Sequence, residues 1–156
     1  PFLDPEKYGR SILENSSFIV SSAYPEKSLH GNGFVARLSG STAEFLQIWS
    51  IMNMGSQPFF MNAKNELNLR FSPNLAGWLF RKTDKTYSFN FLGSIEVVYS
   101  NKKLKDTFGP SGVVPRKISF KDKAGNPVVI NSDTIPFPYA EQVRSRLIKE
   151  INISLE

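Results

Sequence analysis

The sequence contains no cysteine and a single histidine, His30. The missing thiols exclude a disulfide framework and a thiolate metal site, and a lone histidine excludes any metal site built on two imidazoles. No apolar run reaches the ~20 residues of a membrane-spanning helix, and charges near the start interrupt any signal-like segment. These absences favour a cytoplasmic protein that needs no metal or other cofactor.

Familiar catalytic motifs are also missing. The sequence has neither a G-x-S-x-G nucleophile elbow nor a Walker phosphate loop. Glu14, Glu26 and Glu44 are single carboxylates without an evident partner for acid–base chemistry. His30 as a base is the sharper interpretation, but its place beside Gly31 is more typical of a turn. We therefore predict no catalytic residue in this chain.

Aromatic residues and turn residues are plentiful, with 13 Phe, 10 Gly and 10 Pro among 156 residues. From residue 59 onward apolar residues alternate with polar ones, as in Leu67, Leu69 and Phe71, and again in 87–91, 95–99 and 118–120. Residues 122–126 are typical of a hairpin loop. About seven to nine short strands at this spacing predict a mainly β fold, an antiparallel jelly-roll-like β-sandwich.

One helix is predicted in the first 58 residues. Ser41 and Glu44 have the spacing of a capping box, and Gly55 with Pro58 ends the helix. Apolar residues recur at helical spacing within it, and we expect them to form its buried face: Phe45, Ile48, Trp49 and Met52.

The segment before this helix is a candidate phosphate site. The first turn of a helix offers free N–H groups and a partial positive charge, and Ser39-Gly40 would add a hydroxyl and a close backbone approach. Arg37 and Ser41 are auxiliary candidates. On these residues alone a simple helix cap is the better explanation of the segment.

Basic residues give the chain a net charge of +5. They cluster at 102–105 and again at 116–123, which permits a nucleic-acid face. Acidic residues are interspersed and no nucleic-acid motif accompanies the charge, so we expect a solvated surface, with no nucleic-acid or membrane partner.

Several segments together resemble a family of inverting glycoside phosphorylases related to cellobiose and chitobiose phosphorylase. Residues 33–45 (GFVARLSGSTAEF) resemble the segment in which those enzymes carry a Thr-Gly-Thr/Ser-Ala-Ala-Trp motif. Residues 67–78 (LNLRFSPNLAGW) resemble the L-x-L-x-P-x-L-P-x-W segment that follows, and 91–93 with Tyr99 resemble the next strand pair. Ile135-Pro136 and the final strand resemble the family's C-terminus.

The resemblance implies a chain with two parts, residues 1–58 as the tail of an (α/α)6 catalytic barrel and residues 59–156 as a C-terminal β-sandwich domain. It further implies a hexosyltransferase-type reaction in which inorganic phosphate, the co-substrate, cleaves a β-linked gluco-oligosaccharide to a sugar 1-phosphate. The β-1,2-oligoglucan phosphorylases are the branch we expect. The general acid of the family, an upstream Asp, has no match here, so this fragment alone should be inactive.

The resemblance assigns the phosphate contacts to Ser39 and Gly40. Three positions depart from the family pattern: Ser39 replaces Thr, Glu44 replaces Trp, and Val20 stands where the family has a phosphate-contacting Gln. Ser21 or Ser22 would then substitute for that Gln, or the phosphate geometry would differ, or Arg37 would supply charge instead.

The expected partners are the upstream barrel, phosphate, a β-glucan oligosaccharide and a second copy in a homodimer. Two alternatives stay open, a carbohydrate-binding module and a purely structural β-sandwich. Exposure of Trp78, or of several Tyr residues in a row, would favour the binding module. Burial of both Trp49 and Trp78 would remove its main support.

Overall fold

The computed structural model describes residues 18–34 and 39–156, which fall into two compact units, Pro1–Gln47 and Ile48–Glu156. In the first unit, β1 (Phe18–Ile19) pairs antiparallel with β2 (Gly33–Phe34), and a 3-10 turn, Lys27–Leu29, lies between them. Helix α1 (Ser39–Met54) begins in this unit and ends in the second. The division falls inside the helix, and the domain boundary expected after residue 58 stays a prediction.

The second unit is mainly β, as predicted, and contains two sheets. The smaller sheet has the order β3 (Phe59–Met61), β4 (Leu67–Arg70), β9 (Thr134–Ile135) and is antiparallel. The larger sheet has five strands in the order β5 (Thr86–Phe91), β6 (Ile95–Asn101), β10 (Glu150–Leu155), β7 (Pro115–Lys121), β8 (Pro127–Ile130). A 3-10 turn (Gly77–Leu79) precedes β5, and a short helix, α2 (Tyr139–Arg144), lies before β10.

The larger sheet is mixed, which corrects the prediction of a wholly antiparallel fold. Strand β10 runs parallel to β6, with Ile151 beside Val97, and antiparallel to β7 on its other side. Alternation of apolar residues shows that a strand exists and which face it buries, but it carries no information on the direction of its neighbour.

The predicted apolar faces are confirmed by burial. Leu69, Phe71, Ile95 and Val97 are fully buried, and the 122–126 loop joins β7 to β8 as a hairpin. Aromatic rings connect the two sheets, since the ring of Phe59 stacks on that of Phe91 with centroids 5.9 Å apart. Burial of such large side chains is the main source of stability in a sheet pair of this kind.

The C-terminal end of α1 is joined to the β core by hydrogen bonds. The last carbonyls of a helix have no donor within the helix, so they need partners elsewhere. Here three successive carbonyls accept hydrogen bonds from the β core of the second unit: Met52 O from Asn74 N (2.7 Å), Asn53 O from Tyr99 OH (2.7 Å), and Met54 O from Ser72 N (3.0 Å). Gly55, at φ +90°, ends the helix as predicted.

Two expectations for α1 differ from the structure. The helix begins at Ser39, so Ser41 lies within its first turn and is not its N-cap. Phe45 and Ile48 of the predicted buried face are 77% and 57% exposed, whereas Asn53 and Met54 are buried. Burial is concentrated in the last turn of the helix, because that turn is the part held by the hydrogen bonds above.

The connection around Pro136 and Pro138 is a turn that leads into α2, a helix that the sequence did not predict. Ala140 and Val143 are the fully buried residues of this helix. A six-residue helix is too short to show a clear 3.6-residue period, so its packing and not its pattern defines it.

We predict that Gly55→Ala destabilises the second unit by about 3 kcal/mol, through a left-handed backbone and steric overlap together. A Cβ at Gly55 would lie 3.0 Å from both Cβ and O of Ser72. Gly93→Ala is the matched control, because Gly93 also has a positive φ (+75°) but no atom within 4 Å of the place that a Cβ would take. It should cost only ~1–2 kcal/mol. Equal losses in urea unfolding would show that the contact with Ser72 is unimportant.

We predict a pH-dependent effect for Tyr99→Phe. Burial raises the pKa of Tyr99 well above its ordinary value of 10.0. At neutral pH the variant should lose ~1–3 kcal/mol, because the Asn53 carbonyl is left without its donor. Above pH ~10 the unfolded wild-type chain gives up the Tyr99 proton while the folded chain retains it, so wild-type stability falls with rising pH.

Phenylalanine has no such proton, so the stability gap between wild type and variant should narrow above pH ~10, by up to ~1.4 kcal/mol per pH unit. Urea unfolding of both proteins across this range measures the gap. A gap that stays constant up to pH ~11 would contradict the prediction.

Candidate functional site

Ser39, Gly40 and Ser41 are the first three residues of α1. The first four N–H groups of a helix have no acceptor within it, and the helix dipole adds a partial positive charge there. The first turn of α1 contains no acidic residue, so no carboxylate of that turn competes for these groups. The backbone at this position can therefore bind an anion. Arg37, the auxiliary candidate, lies outside the described residues.

Val20, which stands where the resembled family has a glutamine, lies in the hairpin of the first unit. Val20 N donates to Asn32 O (3.1 Å), and Val20 O accepts from Gly31 N (3.0 Å). Ser21 Oγ accepts a hydrogen bond from Ala23 N at 3.3 Å. These contacts give the segment a role in its own turn, and a phosphate contact from Ser21 or Ser22 stays a prediction.

His30 has a structural partner in the same hairpin. Its Nε2 lies 2.7 Å from the carbonyl oxygen of Tyr24. Because a carbonyl can only accept, Nε2 carries the proton and donates it in this hydrogen bond. The contact gives His30 a structural place in the turn and leaves Nδ1 as the nitrogen without the proton.

The exposed carboxyl groups with shifted pKa values are poorly suited to proton donation. The Thr86 hydroxyl lowers the pKa of Asp84, and the backbone N–H of Asn126 lowers that of Asp122. A general acid at neutral pH needs a raised carboxyl pKa, as found in glycoside-cleaving enzymes. Both carboxylates stabilise the turns in which they lie. Asp84 also forms an ion pair with Arg81 (2.7 Å).

A polar cavity of about 460 Å³ lies beside the end of β4. Ser72, Arg116 and Asp133 contribute to its lining. Asp133 is already engaged, because its Oδ2 lies 3.7 Å from Nε of Arg70, whose guanidinium stands over the Phe60 ring at 4.8 Å. Arg70 balances the negative charge of Asp133, and the cavity lining contains no activated nucleophile. We therefore assign no reaction to this cavity.

The two tryptophans differ in environment, and neither is buried. Trp78, in the 3-10 turn before β5, is 82% exposed. Trp49 of α1 is 38% exposed and meets the ring of Phe89 edge-on at 5.7 Å. The binding-module alternative therefore keeps its main support. The sequence alone could not reveal this exposure. The end of the 67–78 segment shows no regular alternation of apolar and polar residues, so it does not indicate whether Trp78 faces the core or the solvent.

Helix α1 also presents large apolar side chains to solvent. Phe45, Leu46 and Ile48 are all more than half exposed. Contiguous exposed apolar groups of this size usually mark a contact surface.

Across residues 18–34 and 39–156, no helix is both long enough and apolar enough to cross a bilayer. Within the same residues, no three His, Asp or Glu side chains are grouped closely enough to hold a metal ion. In comparisons with known proteins, no family model, curated protein or solved structure matches the chain.

Proposed function

We propose that this chain is the C-terminal part of an inverting glycoside phosphorylase related to cellobiose and chitobiose phosphorylase, in which Ser39 and Gly40 contact inorganic phosphate. One observation carries the proposal: α1 begins at Ser39, so the residues that resemble the family's phosphate motif are the first residues of a 16-residue helix. The helix then leads along the chain into a mainly β unit, the order of elements that the resemblance implies.

The chemistry of the helix start supports this assignment. A phosphate dianion accepts hydrogen bonds from backbone N–H groups and hydroxyls, and bonds to a charged acceptor are about twice as strong as neutral ones. Glycine at position 40 leaves the backbone open to close approach. Ser41 lies in the same turn, and Arg37 lies two residues before Ser39 in the sequence, so both are auxiliary contacts of the proposed site.

The exposed side chains of α1 support a larger parent protein. Burial of one large apolar side chain is worth ~1.5–3 kcal/mol, so Phe45, Leu46 and Ile48 together favour a covering surface strongly. In this proposal α1 is the last helix of an (α/α)6 barrel and the upstream barrel provides that surface. The mainly β unit is the family's jelly-roll-like sandwich, and its role is to hold the end of α1.

The proposed reaction balances without a cofactor. A phosphate oxygen forms a bond to the anomeric carbon from the face opposite the glycosidic oxygen, and the bond to that oxygen breaks. The departing sugar takes a proton from an acid that this chain does not supply, and the products are an α-sugar 1-phosphate and a shortened β-glucan. The sites on this chain contribute only to placing and charge-stabilising the phosphate.

A non-catalytic carbohydrate-binding or structural β-sandwich is the second candidate function. The 82% exposure of Trp78 is the specific observation in its favour, because an exposed indole offers a flat apolar face to a sugar ring. The two functions differ in one respect: only the phosphorylase requires Ser39.

We predict that Ser39→Ala in the phosphorylase containing this chain raises KM for phosphate about 10-fold, the effect of one lost charge-assisted hydrogen bond. Ser56→Ala is the matched control, because Ser56 lies just beyond the opposite end of α1 and should leave phosphate kinetics unchanged. Initial rates of sugar 1-phosphate formation at varied phosphate give both values. Unchanged phosphate kinetics in Ser39→Ala would remove the site assignment.

The isolated chain should form no sugar 1-phosphate from phosphate and β-linked gluco-oligosaccharides. In this proposal the chain contributes a phosphate contact, whereas the general acid and the sugar-binding pocket belong to the upstream barrel. Turnover by this chain alone would contradict the proposed division of roles.

A further inference from the structure

The turns before β5 and after β6 meet at one end of the larger sheet, and we call residues 78–85 with 102–106 the basic end. Asn101 N donates to Lys85 O at 2.8 Å, which joins the two turns. Gly77 lies against the second turn so closely that a Cβ there would overlap the carbonyl oxygen of Leu104. Backbone contacts therefore bring together two basic segments that are well separated in the sequence.

The basic end has a net charge close to that of the whole chain. Six basic and two acidic side chains give it a net charge of +4, compared with +5 for the whole chain. Arg81 is paired with Asp84, and Oδ1 of Asp106 accepts a hydrogen bond from Gly77 N. Five exposed lysines form no ion pair with another described residue: Lys82, Lys85, Lys102, Lys103 and Lys105.

Trp78 belongs to the basic end and directly follows Gly77, whose backbone lies against Leu104, the residue between Lys103 and Lys105. Among residues 76–106, all of which are described, it is the only exposed aromatic residue, since Phe80, Phe89, Phe91 and Tyr99 are buried and Tyr87 is half-buried. A tryptophan that is 82% exposed contributes little to folding, so packing does not explain its presence. An indole face beside unpaired ammonium groups is suited to a ligand that has both an apolar ring face and negative charge.

We propose that the basic end binds an anionic oligosaccharide, with one sugar ring against Trp78 and acidic substituents among the lysines. The carbohydrate class rests on the proposed function, whereas the negative charge and the single ring follow from the surface itself. A single-stranded nucleic acid stacks successive bases on several aromatics, and this end offers one. A membrane anchor needs a broad apolar face, which one tryptophan among lysines does not supply.

Only the structure supports this partner. The sequence indicated a solvated surface around 102–105, because acidic residues are interspersed there and no nucleic-acid motif accompanies the charge. Trp78 lies more than twenty residues from that cluster in the sequence, so the sequence did not connect the two. The surface is also separate from the cavities near β4, since neither Trp78 nor any of the five lysines lines them. An open surface of this kind gives binding that weakens as salt screens the lysines.

The test measures binding of this chain to a dextran sulfate oligosaccharide by isothermal titration calorimetry, with unsulfated dextran of equal length and polyphosphate of matched charge as comparison probes. We expect the sulfated glucan to bind at least 10-fold more tightly than the unsulfated one. Trp78→Ala should weaken sulfated-glucan binding about 10-fold, the size of one lost stacking contact, and change polyphosphate binding less than 2-fold.

Lys102→Glu with Lys103→Glu should weaken sulfated-glucan binding more than 10-fold. The matched control reverses two exposed lysines of the β7–β8 hairpin, Lys121→Glu with Lys123→Glu, and should have little effect. Unchanged urea unfolding of Trp78→Ala verifies its fold. Equal binding of unsulfated dextran or polyphosphate, tighter binding of an oligo-dT strand, or an unaffected Trp78→Ala would overturn the proposal.

These measurements need no phosphorolysis. A lack of sulfated-glucan binding therefore overturns this proposal alone, and the phosphate kinetics of Ser39→Ala decide the proposed function separately.

Discussion

Three hydrogen bonds at the C-terminal end of α1 determine how the helix meets the β core. The carbonyls of Met52, Asn53 and Met54 point along the helix axis, and each finds a donor on the β unit. Each such bond contributes ~0.5–1.5 kcal/mol, whereas a buried carbonyl without a donor costs ~1–3 kcal/mol. The donors come from the chain after β4 and from the middle of β6, so the helix end is bound to segments that adjoin both sheets. Gly55 is required at this point, since only a left-handed residue without a side chain turns the chain away while Ser72 stays in contact.

This junction explains which side chains of α1 are buried. Asn53 is 1% exposed, although it is polar; its backbone carbonyl accepts from Tyr99 and its Nδ2 donates to Trp49 O at 2.8 Å. The predicted apolar face turns largely to solvent. The buried residues of the helix are thus those of its last turn, which is hydrogen-bonded to the β core. The apolar residues nearer the N-terminal end of the helix are exposed and can pack against another surface. In the proposed phosphorylase that surface is the upstream barrel, which gives the same helix two different partners along its length.

The sequence predicted local features well and long-range ones poorly, and the reason is physical. Alternation identified the buried faces of β4, β5 and β6, because a residue's face depends only on its own strand. It did not reveal that β10 lies parallel beside β6, since strand partners are chosen by packing across distant parts of the chain. For the candidate sites, capping patterns predicted the helix start only approximately, near Ser41, whereas the helix begins at Ser39. The basic end depends on the pairing of β5 with β6, whose ends bring Lys85 beside Asn101.

The two proposed anion-binding surfaces attract anions through different groups, so their contributions to binding can be measured separately. At the start of α1 the attraction comes from backbone N–H groups and a helix dipole whose effect fades within the first turn, so it selects a small anion by close geometry. At the basic end the attraction comes from flexible lysines in open solvent, which act at longer range and are screened by salt over ~10 Å at moderate ionic strength. Phosphate fits the first and a larger charged chain fits the second. The two proposed surfaces lie on different elements, α1 for the one and the β5–β6 end of the larger sheet for the other, so each can be altered by substitutions that leave the other in place.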